Sequence, residues 1–197
     1  MYEFEVLGKN YIFDQECMTI FLKDEIADKA TMVNEALDMP RNKYFANVNF
    51  IMNNCCNLAC EYCYADKGRY DVAGIVIDFE TAKTTIDTMA ELAYENGGKS
   101  IHITFFGGEP LLQFKLIKQI VEYAKDVIHD KNITIRWDIV TNGTLFTDEI
   151  IEFMEKENFV ITISIDGDKR VHDSTRHFLD GKGSYDLIKE KIAKLGL

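Results

Sequence analysis

Basic residues are in the minority in this 197-residue sequence, and long apolar runs are missing. Lysine and arginine number 22 against 33 acidic residues, so the formal net charge is -11. A chain with this net charge lacks the positively charged surface that favours binding to nucleic acid. No apolar run approaches the roughly 20 residues of a membrane span, and Met1–Glu5 has no basic region before an apolar core. We therefore expect a cytoplasmic protein that binds neither nucleic acid nor membrane.

Cysteine is scarce outside one short segment. Four of the five cysteines lie in Cys55–Cys63, whereas Cys17 has apolar neighbours that predict a small buried hydrophobe. Crowded cysteines in a chain without a secretion signal favour a metal or redox site over a disulfide framework. The spacing of Cys56, Cys60 and Cys63 is that of a ligand set.

A fourth protein ligand is missing beside these three thiols. Structural zinc sites are usually closed by four ligands, and no His or Cys follows the loop at a useful spacing. An iron-sulfur cluster held by three cysteines would leave one iron open to a non-protein ligand, which implies chemistry there. Spacing alone leaves an iron-sulfur cluster, a zinc site and a group of buried thiols as candidates. We interpret the adjacent Cys55 as a packing residue.

The order of the predicted elements divides the chain in two. Residues 1–40 contain three β-rich runs and a helical pattern over Asp24–Leu37, which predict a small β-meander followed by a helix. Residues 41–197 alternate strand and helix four times, beginning with a strand over Phe45–Met52. This alternation predicts an α/β fold with a parallel sheet or a partial barrel. Because the last strand would have an open edge, we expect the barrel to continue beyond Leu197.

The remaining elements of the second region follow from local patterns. Three more strands are expected over β-rich runs: Ser100–Phe106, Ile133–Val140 and Phe159–Ile165. Helices are expected to begin after the capping candidates Asp78 and Thr147, and another is expected from Ser184. The segment Asp166–Gly183 has neither pattern and is predicted to be a polar loop.

Several polar or glycine-containing segments directly follow predicted strands. Chemistry in parallel folds gathers at the C-terminal ends of the strands, so these segments are expected on one rim. The rim would carry the cysteine loop, Gly107-Gly108-Glu109, Asn142 and Ser164. Alone, the glycine pair is typical of a plain turn and Glu109 of a solvated carboxylate. Beside the cysteine loop, the glycines would let a ligand approach the backbone, and Glu109 could pair with an ammonium group.

The predicted polar loop contains His172, His177 and Arg176 among its charged and polar residues. We expect His172 and His177 to be hydrogen-bonded or solvated, and we do not predict them as metal ligands. Arg176 could pair with the carboxylate of a bound molecule near the rim. The alternative is an ion pair with Asp173 or Asp180.

Together these motifs resemble the radical S-adenosylmethionine (SAM) superfamily, and within it the peptide- and protein-modifying maturases that include anaerobic sulfatase-maturating and thioether-forming enzymes. The resemblance covers Tyr44–Leu197. It rests on the CxxxCxxC loop, then Gly-Gly-Glu-Pro, Thr-Asn-Gly and Ser-Ile-Asp-Gly, followed by His-Asp and Arg. It implies that the chain contains the first four strand-helix units of a radical SAM barrel, and a complete barrel usually has more such units.

The resemblance also implies a cofactor and a role for each rim residue. Cys56, Cys60 and Cys63 would hold three irons of a 4Fe-4S cluster, and SAM would chelate the fourth. Around SAM, the implied contacts are Gly107, Gly108 and Glu109 with the amino group, Arg176 with the carboxylate, Ser164 with the ribose or nearby atoms, Tyr62 near the adenine, and Asn142 with the cofactor or the rim.

The implied reaction is reductive cleavage of SAM to a 5′-deoxyadenosyl radical, which abstracts hydrogen from a peptide or protein side chain. The implied partners are that substrate and a low-potential electron donor such as flavodoxin or ferredoxin. Two other functions stay open. One is an iron-sulfur electron-transfer or metal-binding module, which would not need Glu109, Ser164 or Arg176; the other is an inactive, truncated cofactor-binding fragment.

Overall fold

The computed structural model describes residues 2–6, 8–14, 19–22, 47–66 and 74–195. The chain divides into two compact units, Met1–Asn42 and Lys43–Leu197. The helix predicted over Asp24–Leu37 and the buried position predicted for Cys17 lie outside the described residues. Among the helices of the described part, none combines the length and the apolar character needed to cross a membrane.

The first unit contains a three-stranded antiparallel sheet. Its strands are β1 (Tyr2–Val6), β2 (Lys9–Asp14) and β3 (Thr19–Leu22), in the order β1-β2-β3. Gly8 lies between β1 and β2 with φ of +74°, a conformation that glycine adopts without steric cost. The predicted meander is confirmed.

The second unit is built on a four-stranded parallel sheet. The strands are β4 (Asn47–Ile51), β5 (Ser100–Phe106), β6 (Thr134–Thr141) and β7 (Val160–Ile163), in the order β4-β5-β6-β7. The helices are α1 (Phe79–Glu95), α2 (Phe114–Ile128), α3 (Asp148–Lys156), α4 (Lys169–Thr175) and α5 (Tyr185–Ala193). A 3-10 turn, Pro110–Gln113, precedes α2. The predicted α/β class is confirmed.

Three helices begin where the sequence predicts: α1 after Asp78, α3 after Thr147 and α5 after Ser184, the first two with a side-chain cap. The Asp78 carboxylate accepts a hydrogen bond from the Thr81 N–H at 2.7 Å, and the Thr147 hydroxyl accepts one from Ile150 at 3.3 Å. Each cap satisfies a backbone donor that has no partner within its helix. Helix α2 buries one continuous apolar stripe: Ile117, Ile120, Val121 and Ala124.

Helix α4 corrects the prediction of a polar loop over Asp166–Gly183. Its start is capped by Asp168, whose carboxylate accepts a hydrogen bond from the Val171 N–H at 3.0 Å. His172 is its one buried residue, so the segment has no apolar stripe to reveal it. A short helix whose inner face is polar has no helical periodicity in its sequence.

The parallel register places the C-terminal ends of the strands along one edge of the sheet. Ile51 pairs with Phe106 across β4 and β5, and Thr141 pairs with Ile163 across β6 and β7. Phe105 is fully buried in the core, whereas the neighbouring Phe106 is half-buried on the opposite face. The segments that follow the strands therefore meet at this edge.

Candidate functional site

The cysteine loop begins at the C-terminal end of β4. Its base is closed by backbone hydrogen bonds, from Asn54 to the Ile75 carbonyl at 2.8 Å and from Ile77 to the Met52 carbonyl at 3.0 Å. The thiols that line a single cavity are Cys56, Cys60 and Cys63. All three are half-buried and form no disulfide.

The middle of the cysteine loop pairs with the chain segment that carries Arg176. Ala59 donates its N–H to the His177 carbonyl at 2.7 Å, and Glu61 donates to the Thr175 carbonyl at 2.9 Å. This short antiparallel pairing places Arg176 directly opposite Cys60. Both residues line the cavity.

Arg176 is buried, and its guanidinium is only partly satisfied. Nη1 donates a hydrogen bond to the Tyr62 hydroxyl at 2.7 Å, and the guanidinium carbon lies 5.9 Å from the centre of the Tyr62 ring. Tyr62 in turn donates to the Asp166 carboxylate. Arg176 Nε is buried without a hydrogen-bond partner among the described residues. A buried, unpaired N–H donor is costly, so it marks a position for a ligand acceptor.

The alternative ion pairs predicted for Arg176 are wrong. The Asp173 carboxylate accepts the Tyr185 N–H at 3.0 Å, and Asp180 pairs with Lys182 at 3.1 Å. Both aspartates therefore bind residues near them in sequence. Arg176 pairs with neither and lines the cavity instead.

Gly107 and Gly108 pack directly on the backbone of the cysteine loop. A Cβ atom on Gly108 would lie 2.0 Å from the Cys55 carbonyl oxygen, and one on Gly107 would lie 2.8 Å from the Asn53 oxygen. Gly107 also has φ of +139°. Both glycines line the cavity, so the backbone is exposed there as expected. Cys55 does not line it, and its carbonyl accepts the Glu109 N–H at 2.8 Å.

Glu109 differs from the expectation that its carboxylate meets a ligand amino group. The side chain is fully buried, and its three acceptor contacts are all with the protein. These are Leu111 N–H at 3.0 Å, Thr141 Oγ1 at 2.7 Å and Asn142 N–H at 2.8 Å. Burial raises the pKa of the Glu109 carboxyl, and the same three hydrogen bonds oppose that rise. The carboxylate joins the end of β5 to the end of β6 and does not line the cavity.

The other residues predicted for the site line the cavity at the rim. Asn142 and Ser164 both line the cavity, and Ser164 is held there by its N–H, which donates to the Thr141 carbonyl at 3.0 Å. Tyr62 also lines it and is half exposed. Of the ten residues that the sequence suggests for this site, Glu109 alone is absent from the cavity lining.

The electrostatics of the cavity disfavour free thiolates. Burial raises the pKa of Cys56 to about 11, and burial also raises the pKa of Cys60, with the Arg176 charge acting in the opposite direction. Among the described residues, no three His, Cys, Asp or Glu side chains form a group that could hold a metal ion. Cys56, Cys60 and Cys63 nevertheless line one cavity, and such a donor set fits a group with several irons, whose positive charge would stabilise the three thiolates.

His172 and Ser184 support this rim through hydrogen bonds whose partners the sequence did not predict. The Asp166 N–H donates to His172 Nδ1 at 3.2 Å, and the other ring nitrogen of His172 lies 2.9 Å from the Ser184 hydroxyl. Ser184 donates to the Arg176 carbonyl at 2.8 Å. Since Nδ1 is the acceptor, His172 is neutral with its proton on Nε2. His177 is hydrogen-bonded as well, because its Nε2 lies 2.8 Å from Glu61 Oε1. Both histidines are therefore hydrogen-bonded, which is one of the two states expected for them.

Comparison with curated proteins finds relatives that are mostly longer than this chain. The chain is 40% identical over 134 residues to an uncharacterised protein of Methanocaldococcus jannaschii, covering 68% of this chain and 42% of that one. It is 32% identical over 158 residues to the radical SAM cyclopropyl synthase TigE of Paramaledivibacter caminithermalis, covering 75% and 31%. With the cysteine-type anaerobic sulfatase-maturating enzyme of Clostridium novyi it shares 30% identity over 141 residues, covering 70% and 36%.

Solved structures share the fold of the second unit. The chain matches a histidine-tagged anSMEcpe with bound AdoMet at a TM-score of 0.68 and 22% identity, covering 77% of this chain and 40% of that one. A second match, native anSMEcpe with bound AdoMet and the Cp18Cys peptide, has a TM-score of 0.66 and 23% identity, covering 78% and 40%.

The match to a family description covers most of the second unit. Residues 50–196 match the Radical SAM superfamily, whose members use a 4Fe-4S cluster and SAM. This span contains all three cavity-lining cysteines, the glycine pair and Arg176. The chain belongs to the radical SAM superfamily.

Proposed function

We propose that this chain is the cofactor-binding part of a radical SAM enzyme that modifies a side chain of a peptide or protein. One observation carries the proposal. Three thiols and a buried arginine with an unpaired N–H share a single cavity, and the segments that bear them are joined by backbone hydrogen bonds. An electron-carrier protein would need the thiols and would have no use for the arginine.

Each residue of the cavity has a distinct part in this proposal. Cys56, Cys60 and Cys63 would hold the cluster, which leaves one iron for the amino and carboxylate groups of SAM. Arg176 would pair with the SAM carboxylate, since a guanidinium binds carboxylates through two parallel N–H donors and Nε has no partner within the part of the chain that the structure describes. The half-exposed ring of Tyr62 offers a surface for the adenine.

The remaining rim residues shape and close the cavity. The backbone at Gly107 and Gly108 would face the SAM amino group, because no side chain intervenes. Ser164 would contact the ribose or nearby atoms. Glu109 would act through the protein, by holding Thr141 and Asn142 in place. When the cluster is reduced and SAM is bound, the cofactors would supply the 5′-deoxyadenosyl radical. The chain would position SAM and exclude water.

The substrate class rests on the relatives. One relative is named a sulfatase-maturating enzyme and another a radical SAM cyclopropyl synthase, and one matched structure holds a peptide. This chain spans about a third of the length of those two relatives. The peptide substrate, the flavodoxin- or ferredoxin-like electron donor and the cytoplasmic location are therefore part of the proposal.

Anaerobic reconstitution tests the proposal directly. The chain is loaded with iron and sulfide, reduced with dithionite, given SAM, and assayed for 5′-deoxyadenosine. We expect product from the wild type and from Cys55→Ala, because Cys55 lies outside the cavity lining. We expect neither cluster absorbance nor product when Cys56, Cys60 and Cys63 are replaced together by alanine.

Two outcomes would contradict parts of this proposal. A triple variant that retains the cluster would remove the ligand assignment. A wild-type chain that binds the cluster and SAM, yet yields no 5′-deoxyadenosine, would favour the iron-sulfur module instead.

A further inference from the structure

Three polar side chains beside the cavity form a closed ring of hydrogen bonds. Asn142 Nδ2 donates to Asn57 Oδ1 at 2.9 Å, Asn57 Nδ2 donates to Thr144 Oγ1 at 2.7 Å, and Thr144 Oγ1 donates to Asn142 Oδ1 at 2.7 Å. Asn142 and Thr144 are buried. Each member of the ring uses one donor and one acceptor, so the ring fixes all three side chains at once.

The orientation of the Asn142 amide is determined by its surroundings. The Thr144 backbone N–H lies 3.0 Å from Asn142 Oδ1, and a backbone N–H can only donate. The oxygen of the amide must therefore face Thr144, and the nitrogen must face the cysteine loop. The backbone N–H of Asn142 is held independently by the Glu109 carboxylate.

The second hydrogen of this amide faces a thiol sulfur. Asn142 Nδ2 lies 3.7 Å from Cys56 Sγ, and the Leu58 backbone N–H lies 3.4 Å from the same sulfur. Both distances are within the range of hydrogen bonds to sulfur. Cys56 Sγ thus has two N–H donors, one from the Leu58 backbone and one from the Asn142 side chain, whose amide is fixed by the ring and whose backbone N–H is bound by Glu109.

We propose that Asn142 is a positioning residue that raises the reduction potential of the cluster through its hydrogen bond to Cys56 Sγ, and that Asn57 and Thr144 fix its amide for this task. The inference rests on the proposed function, because it needs Cys56 as a ligand. A hydrogen bond to a ligating sulfur withdraws negative charge from the cluster and favours its more negative, reduced form. The residue would make the cluster easier to reduce by a given electron donor.

The test is the midpoint potential of the reconstituted chain, measured by redox titration without SAM. Asn142→Ala removes the donor, and we expect a fall in the midpoint potential. Thr144→Val opens the ring while keeping the amide, so we expect a smaller fall in the same direction. Thr144→Ser keeps the hydroxyl and serves as the matched control, with an unchanged potential. A loss of packing alone would change the unfolding temperature and leave the potential unchanged.

Two results would overturn the inference. One is Asn142→Ala with the wild-type iron content and the wild-type potential. If that variant binds no cluster, Thr144→Val decides, and an unchanged potential in it overturns the inference equally. Because SAM is left out, the result is separate from the proposed reaction: shifted potentials without 5′-deoxyadenosine would contradict the reaction and leave the role of Asn142 intact. A wild type that takes up no cluster contradicts the proposed function itself.

Discussion

Arg176 reaches across the cavity rim and donates a hydrogen bond from Nη1 to the Tyr62 hydroxyl at 2.7 Å. The Tyr62 hydroxyl in turn donates a hydrogen bond to the Asp166 carboxylate, so the Tyr62 phenol lies between the Arg176 guanidinium and that carboxylate. The arrangement keeps the two charges from pairing directly and keeps the guanidinium beside Cys60, where both line the cavity. The position of Arg176 thus depends on a residue within the cysteine loop.

Replacing Arg176 by lysine should weaken SAM binding. Lysine keeps the charge and loses the fork of donors, so about 1.5–3 kcal/mol of hydrogen bonding to a charged group is removed, roughly a 10- to 150-fold rise in Kd. The Kd can be measured from the spectral change of the unreduced cluster on adding SAM, because SAM is not cleaved in that state. Arg136→Lys is the matched control, because Arg136 is exposed and pairs with Asp138 at 3.0 Å. An equal Kd for both variants would contradict the carboxylate assignment.

Glu109→Gln should destabilise the fold. The amide group would direct an NH₂ at one of three donors that now face carboxylate oxygens, and leaving a buried donor unpaired costs about 1–3 kcal/mol. Urea unfolding of the wild type and the variant measures the difference. Glu149→Gln, at an exposed position, should stay within about 0.5 kcal/mol of the wild type. If Glu109→Gln unfolds like the wild type and only SAM affinity falls, the carboxylate meets the ligand after all.

Gly108→Ala should prevent cluster loading. The added methyl group would lie 2.0 Å from the Cys55 carbonyl oxygen, and a backbone atom cannot move aside without shifting the cysteine loop. Iron per chain after reconstitution is the measurement. Gly181→Ala provides the control: its Cβ meets no atom within 4 Å, and only the positive φ of +83° costs about 1 kcal/mol. Full iron content in Gly108→Ala would show that the packing of the glycine on the loop is dispensable.

His172 should make stability depend on pH. Burial and the neighbouring Arg176 charge lower its pKa, while Asp166 and Asp173 act in the opposite direction. The unfolded chain therefore binds the proton more readily, so the stabilisation is complete above the ordinary histidine pKa of about 6.5 and is lost as the pH falls below it. The unfolding free energies of the wild type and His172→Gln should converge between pH 8 and pH 5. Parallel curves would contradict a neutral, buried His172.

Local chemistry made the frame of the fold predictable from the sequence. The run Ser100–Phe106 is a strand over its whole predicted length, since alternate residues bury and the β-branched content is high. The caps at Asp78 and Thr147 are confirmed because a capping side chain acts within its own first turn. Placing Asn142 and Ser164 on one rim with the cysteine loop required only the parallel order of the strands.

Contacts between distant segments could not be predicted in the same way. The direction of the Glu109 carboxylate depends on Thr141 and Asn142, which lie on a different strand end. The partner of Arg176 proved to be Tyr62, 114 residues away, where its neighbours in sequence suggested Asp173 or Asp180. Helix α4 was missed because its buried residue is a histidine, which an apolar periodicity search does not count.

The antiparallel pairing between the cysteine loop and the Arg176 segment also sets an order of events during synthesis. The side chains of Glu61 and His177, which meet across that pairing, are 116 residues apart. At about 5–20 residues per second, the second partner leaves the ribosome on the order of ten seconds after the first. For that interval the three thiols belong to a loop on a nascent chain that lacks this central pairing. Iron delivered before the pairing forms would meet ligands still free to rearrange, whereas iron delivered afterwards would enter a loop already fastened at its centre.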